Sequence, residues 1–402
     1  MKYRLLLLLS ILPIINTPVN AKKIDKRCLE VRKERSKIEF KKKKYELNRE
    51  FTHTIEERAL KKMYDTVKLS FIGDVMQHGN QLKSALIEGA DPYDHNSYEY
   101  SHAFKYTKKF FYNAHIAVAN MEFPTGGAPF KGYPVFSTPE SIISEAQRSG
   151  LNLFLLANNH LLDMGGSGFE QTISTYKRLG AKAIGAYISK EDELRENPVI
   201  IEKNGIKVAF INFSYGTNGF AIPEPFTMNL MDSTHIKEVI QRAKNRGADF
   251  IFALPHWGLE YQLKPSVSQK KWARMLFREG VRGIIGSHPH VPQEAEIYND
   301  RFIFYSLGNY ISNQSIPDYT QLELLVEVSL VKDNFTNKVE IIKPTYHFLW
   351  CFKKDEFERD YTVIPVEEII NHPEKVPNQE QFYRMVKTYN YILEKNLIKE
   401  FN

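Results

Sequence analysis

The sequence predicts an α/β fold in which two mixed sheets form a sandwich flanked by helices. Two observations predict it: short apolar runs alternate with amphipathic stretches, and two turn signatures interrupt that alternation with adjacent strand pairs. Val67 to Ile72, Ile116 to Ala119, Leu153 to Ala157, Val208 to Phe213, Phe250 to Leu254 and Gly283 to Ile285 read as buried strands. Between them, Pro139 to Ser149, Gly168 to Leu179, Ser233 to Arg246 and Ser268 to Glu279 read as helices. Strands separated by helices imply parallel pairing, because a parallel connection needs a crossover of roughly a dozen residues or more.

The first hairpin joins Val199 to Glu202 and Lys207 to Phe213 around Asn204-Gly205, a pair that tolerates positive φ at low cost. The second joins Glu294 to Tyr298 and Phe302 to Ser306 around Asn299 and Asp300. Leu322 to Val331 and Val339 to Ile342 add further strand, and from Val366 the chain turns polar and helical, ending in a helix over Gln379 to Leu397. Residues 66 to 346 are expected to form one domain and 347 to 402 a C-terminal helical extension. No internal repeat is visible.

With 402 residues and 43% hydrophobic content, the chain can bury a large core, which excludes a disordered protein. Its start, Met1-Lys2-Tyr3-Arg4, an apolar run from Leu5 to Ile15 and then Val19-Asn20-Ala21, reads as a signal peptide over residues 1 to 21. The run is shorter than the ~20 apolar residues a spanning helix needs. Cleavage after Ala21 and export are expected, to the periplasm, the cell surface or the medium.

Residues 22 to 65 form a charged arm, expected to be helical, with about 16 Lys and Arg against about 9 Asp and Glu and a run from Lys41 to Lys44. The net charge of +6 therefore belongs to the arm and leader, and the remaining body is near neutral or slightly acidic. The arm reads as a solvated helix or as an electrostatic contact with an anionic polymer or membrane surface. Cys28 and Cys351 are the only cysteines, so they are two independent thiols or one bridge, and a cysteine-built metal site is excluded.

Polar clusters come directly after the apolar runs, where an α/β sheet places its ligands. They are Gly73-Asp74-Val75-Met76, Asn120-Met121-Glu122, Asn158-Asn159-His160-Leu161-Leu162-Asp163, His256-Trp257-Gly258-Leu259-Glu260-Tyr261 and His288-Pro289-His290. A lone histidine is ordinarily a satisfied core residue, but three strand-end clusters carrying histidine, with acids among them, favour a shared site. In an extended segment, side chains two apart share a face, which would send His288 and His290 to one side. Asp74, Glu122, Asn159, His256, His288 and His290 supply nitrogen and oxygen donors without sulfur. That mix suits Mn, Zn or Fe, one ion or two sharing a carboxylate.

The ordered string Gly73-Asp74-x-Met76, Asn120-x-Glu122, Asn158-Asn159-His160-x-x-Asp163-x-Gly165, His256-Trp257-Gly258-x-Glu260-Tyr261, Gly286-x-His288-Pro289-His290-x-x-Gln293 and Tyr305-Ser306-Leu307-Gly308-Asn309 resembles the CapA family. That is the poly-γ-glutamate capsule synthesis group within the calcineurin-like metallophosphoesterase superfamily, so the resemblance implies a metallophosphoesterase-like sandwich. It implies Asp74 and His290 on a first divalent metal, Glu122 as the bridging carboxylate, and Asn159, His256 and His288 on a second. His160 would stand beside the leaving group as the acid, and Asp163 would orient it or cap the next helix. Glu260, Tyr261, Gln293 and Asn309 recur in the family motifs as residues to line a substrate pocket, and Trp257 reads as packing. Met76 stands where most of the superfamily carries a histidine, and a thioether binds hard cations poorly.

Two functions follow. One is a metal-dependent hydrolase acting on a phosphoester, or a related amide or ester, in an envelope polymer. The other is a capsule-assembly factor that binds an anionic polymer such as poly-γ-glutamate beside membrane-associated synthesis machinery. Nucleic acid is not an expected partner, since the arm has few interleaved aromatics. A dinucleotide cofactor is excluded by the missing Gly-x-Gly-x-x-Gly turn.

Overall fold

The computed structural model describes residues 63–353, 359–376, 378–395 and 397–401, together with Lys37. The expected signal peptide, Cys28 and the run Lys41 to Lys44 lie outside the described residues. The chain divides into two units, Met1–Met63 and Tyr64–Asn402, and the second carries both sheets.

Strands β1 (Tyr64–Val75), β2 (Ile116–Met121), β3 (Leu153–Leu155) and β4 (Ala183–Ile184) come first, then β5 (Ala186–Tyr187), β6 (Val199–Lys203), β7 (Ile206–Ser214), β8 (Thr227–Met228), β9 (Phe250–His256) and β10 (Gly283–Ile285). β11 (Ala295–Ile297), β12 (Phe302–Phe304), β13 (Asn309–Ile311), β14 (Leu322–Asp333), β15 (Val339–Phe352), β16 (Thr362–Pro365) and β17 (Ile398–Glu400) complete the set. One sheet runs β16-β15-β14-β1-β2-β3-β4, with β13 beside β1, and the other runs β17-β11-β12-β10-β9-β7-β6. Both are mixed: β1 to β4 are parallel while β14 to β16 are antiparallel, and β7, β9, β10 and β12 are parallel while β6 and β11 turn back.

Period-two alternation builds the layers. Along β9, Phe250, Phe252 and Leu254 face the other sheet, and Ile251 and Ala253 face the outer helices. Leu69, Phe71 and Val118 of the first sheet meet them, Phe71 and Phe252 with ring centroids 5.2 Å apart. Each such buried phenylalanine contributes about 2–3 kcal/mol. The helices Ser141–Arg148 and Gly165–Arg178 cover the outside of the first sheet, and Ser233–Asn245 and Val267–Arg278 that of the second. Ser266 and Gln269 satisfy each other's backbone N–H groups in a capping box, which starts the last of these helices.

Both expected hairpins form, the first with Asn204 and Gly205 at positive φ. The expected division at residue 346 falls inside β15, and the stretch beyond it supplies β16 and β17 to the two sheets as well as the helix Gln379–Glu394. The cause is the apolar run Phe348 to Phe352, which is buried against the core instead of leading into a separate helical extension. Among the described residues no helix is long and apolar enough to cross a membrane.

Candidate metal centre

The expected donors lie at the carboxyl ends of parallel strands from both sheets. Asp74 is in register with Asn120 of β2 and with Asn309 of β13, after a bulge between Ile72 and Asp74. Gly73 makes this approach possible: a Cβ there would stand 2.0 Å from the carbonyl oxygen of Gly308, whose oxygen instead accepts from Asp74 N–H at 3.0 Å. Glu122 follows β2, Asn159 lies in the loop after β3, and His256 ends β9.

His288 and His290 converge by a different route from the one expected. Their φ values are +97° and +61°, so the segment after β10 is a left-handed turn and not an extended strand. Such backbone costs roughly 1–3 kcal/mol for each residue and persists only where surroundings enforce it. Here His288 N–H donates to Asp74 Oδ2 at 3.2 Å, and Asn309 Nδ2 donates to the His290 carbonyl at 3.2 Å.

Asn120 Nδ2 donates to Asp74 Oδ1 at 2.8 Å, and His290 Nδ1 lies 2.9 Å from Asn309 Oδ1 and 3.2 Å from Asp74 Oδ2. His256 Nε2 lies 2.7 Å from Asn159 Oδ1, while its Nδ1 is 3.3 Å from Ser287 Oγ. Between these groups sits Glu122, fully buried, with neither carboxylate oxygen hydrogen-bonded. Its Oε1 is 3.5 Å from His256 Nε2 and 3.8 Å from His290 Nε2. A dry carboxylate without hydrogen bonds is costly unless a cation faces it.

Burial alone would raise the Asp74 pKa, yet His290, His256 and the Asn120 amide hold it below the usual value. Burial alone would lower that of His290, but Glu122 and Asp74 push it up to about 9. His288 is driven well below its ordinary value by burial and by the neighbouring histidines, and its Nδ1 has no partner. A neutral imidazole with a free lone pair has the form in which histidine can ligate a metal.

One donor atom each from Asp74, Glu122 and His290 lie within 4.8 Å of one another, and so do those of Glu122, His256 and His288. Ligand atoms at about 2.0–2.2 Å from one ion cannot be more than about 4.4 Å apart, so each group is close to the size of a coordination sphere. The residues therefore fit one or two divalent ions sharing Glu122.

A cavity of about 390 Å³ opens beside these groups, lined by Met76, His160, Glu260, Tyr261 and His290 among others. A second, of about 490 Å³, is lined by Tyr176, Arg195 and Arg246 and contains none of them. His160 Nδ1 is 2.8 Å from Asp163 Oδ2, which also accepts from Phe136 N–H at 2.8 Å. Asp163 therefore orients His160; the next helix has Met164 at its N-cap and no side-chain cap.

Residues 68–314 match the family of the bacterial capsule synthesis protein PGA_cap, more than half of the chain. The chain belongs to the PGA_cap family. It is 27% identical over 289 residues to the capsule biosynthesis protein CapA of Bacillus anthracis, covering 69% of this chain and 67% of that protein. It is 28% identical over 292 residues to the PGA biosynthesis protein CapA of Bacillus subtilis, covering 70% and 72%. Among solved structures it is similar to the calcineurin-like phosphoesterase YfkN from Bacillus subtilis, with TM-score 0.43, 16% identity and coverage of 82% of this chain and 99% of that one. It is also similar to a candidate 5'-nucleotidase from Staphylococcus aureus solved with alpha-ketoglutarate, with TM-score 0.44 and 14% identity, covering 70% of this chain. The chain spans about half of that second protein, 54%.

Within this PGA_cap chain, Glu260 and Tyr261 line the cavity, but Gln293 and Asn309 do not take the substrate-lining places expected of them. Both are buried and turned to protein partners. Gln293 Nε2 donates to the Gln262 carbonyl at 2.7 Å and its Oε1 accepts from Gln269, so it braces the loop that carries Glu260. Asn309 holds the His290 ring and carbonyl. Trp257 is fully buried and donates to the Tyr305 carbonyl. Asn120, inside the Asn120-x-Glu122 string, is the member of the centre that sequence reasoning missed, although its place on the strand beside Glu122 signalled it. Ser287 and Asn218, which contacts Asn159 at 3.1 Å, had no such signal.

Proposed function

We propose that this PGA_cap chain is an exported metal-dependent hydrolase of the phosphoesterase type. It acts on a phosphoester, or a related amide or ester bond, during synthesis of an anionic envelope polymer of the poly-γ-glutamate kind. The observation that carries the reading is Glu122, a buried carboxylate from the first sheet with both oxygens unpartnered and His256 and His290 of the second sheet beside it. The capsule and PGA biosynthesis roles in the names of the two Bacillus relatives support the polymer.

Asp74, His290 and Glu122 would hold one ion, and Glu122, Asn159, His256 and His288 the other. A bound divalent ion supplies Lewis acidity and lowers the pKa of water. The chain's own part is positional and protonic. Asn120 and Asn309 fix Asp74 and His290, and the Ser287 hydroxyl sets the His256 ring by its Nδ1. His160, with Nδ1–H on Asp163, presents its other nitrogen at the cavity and gives a proton there to a leaving oxygen.

The test is turnover of a chromogenic phosphodiester by protein stripped of metal and reloaded with Mn or Zn. No turnover in either, with the fold intact, would count against hydrolysis. Met76 favours a second reading, a polymer-binding assembly factor with the same fold. Binding of poly-γ-glutamate that survives Asp74→Ala and His256→Ala but is lost without residues 22 to 64 would support it.

A further inference from the structure

The two halves of the centre are unequally furnished. The half around His256 has four donors, Glu122, Asn159, His256 and His288, whereas the half around Asp74 has three, Asp74, Glu122 and His290. Met76 adds nothing to the poorer half, since its sulfur accepts a hydrogen bond from Ser312 Oγ at 3.7 Å and its side chain packs in the core. On the cavity side a third donor group closes around the same histidines. A Glu260 carboxylate oxygen and one ring nitrogen each of His288 and His290 lie within 4.8 Å of one another.

Glu260 is held where it can reach. It sits in the loop after β9, where Tyr261 adopts φ +63° and donates from its N–H to the Pro289 carbonyl at 2.8 Å. That bond ties the loop directly to the residue between His288 and His290, and Gln293 braces it from behind. The Nδ1 of His288, a residue 4% exposed, has no partner inside the protein, so it points to a ligand.

We propose that Glu260 is a metal ligand, delivering from a loop a donor on the cavity side of His288 and His290. The proposal rests on the reading of this centre as a metal site. Glu260 is exposed, whereas Asp74, Glu122, His256, His288 and His290 are buried. It is consequently the ligand that water or a substrate oxygen can displace, and the coordination position it guards faces the cavity.

The test uses the full chain, stripped with a chelator and titrated with Mn²⁺. Calorimetry and electron paramagnetic resonance follow each bound ion, and circular dichroism checks the fold. Glu260→Gln is expected to weaken the most loosely held ion by at least about tenfold, the lower end of what loss of even an orienting partner costs. Equal binding by wild type and Glu260→Gln would overturn the inference and leave the metal centre standing. No ion bound by the wild type would overturn both the inference and the metal reading.

Discussion

His160 Nδ1 stands 2.8 Å from Asp163 Oδ2 in the wall of the cavity, and the same oxygen accepts from the Phe136 backbone. Asp163 accepts the Nδ1–H, so in the protonated ring the proton on Nε2 is the one left to be given to a leaving oxygen. His160→Asn is expected to lower kcat on a phosphodiester by about 10²- to 10⁴-fold, the usual worth of a positioned acid. Asp163→Asn should lower it by a smaller factor. Elemental analysis should find metal content unchanged in both, and a parallel loss of metal would show that the pair shapes the centre itself.

Asn309 controls His290 through two contacts, its Oδ1 at the ring Nδ1 and its Nδ2 at the carbonyl. Asn309→Ala should therefore weaken Mn²⁺ by about 10- to 100-fold. Calorimetric titration measures it, and wild-type affinity in the variant would refute the positioning role.

Gly73 faces the Gly308 carbonyl so closely that a Cβ would meet it at 2.0 Å, and both partners are backbone. Gly73→Ala should cost about 1–3 kcal/mol or more, as overpacking does. Gly79, which opens the helix Gly79–Ala85 with nothing within 4 Å of its Cβ position, is the control. Gly79→Ala should be neutral or stabilise by about 0.4–1 kcal/mol through the unfolded chain. Urea midpoints compare the two.

His102 supplies a pH dependence remote from the metal donors. Burial lowers its pKa from 6.5 to about 4, with the Arg359 charge adding to the effect and Glu99 opposing it. The unfolded chain then binds a proton that the folded chain refuses, so stability is full above pH 6.5 and falls as pH drops toward 4. The loss amounts to at most about 3 kcal/mol. His102→Gln should flatten the difference between urea midpoints at neutral and mildly acidic pH, and an unaltered difference would rule the residue out.

The sequence by itself determined the layers and singled out polar residues that meet at the strand ends. Alternation in Phe250 to Leu254 and its fellows is local, as is the habit of α/β strands to end in ligands, so Asp74, Glu122, His256 and His288 could be picked out before any contact was visible. Only the tertiary structure decided how they meet. Asp74 Oδ2 and His288 N–H are bonded across 214 residues of chain, and that bond depends on strand order, on the bulge before Asp74 and on left-handed backbone at His288 and His290. The same holds for Gln293 and Asn309, whose motif positions did not distinguish a cavity wall from a brace. A side chain's type and spacing fix what it can bind, but the partner it faces is set by elements distant in sequence, and that choice is made by packing.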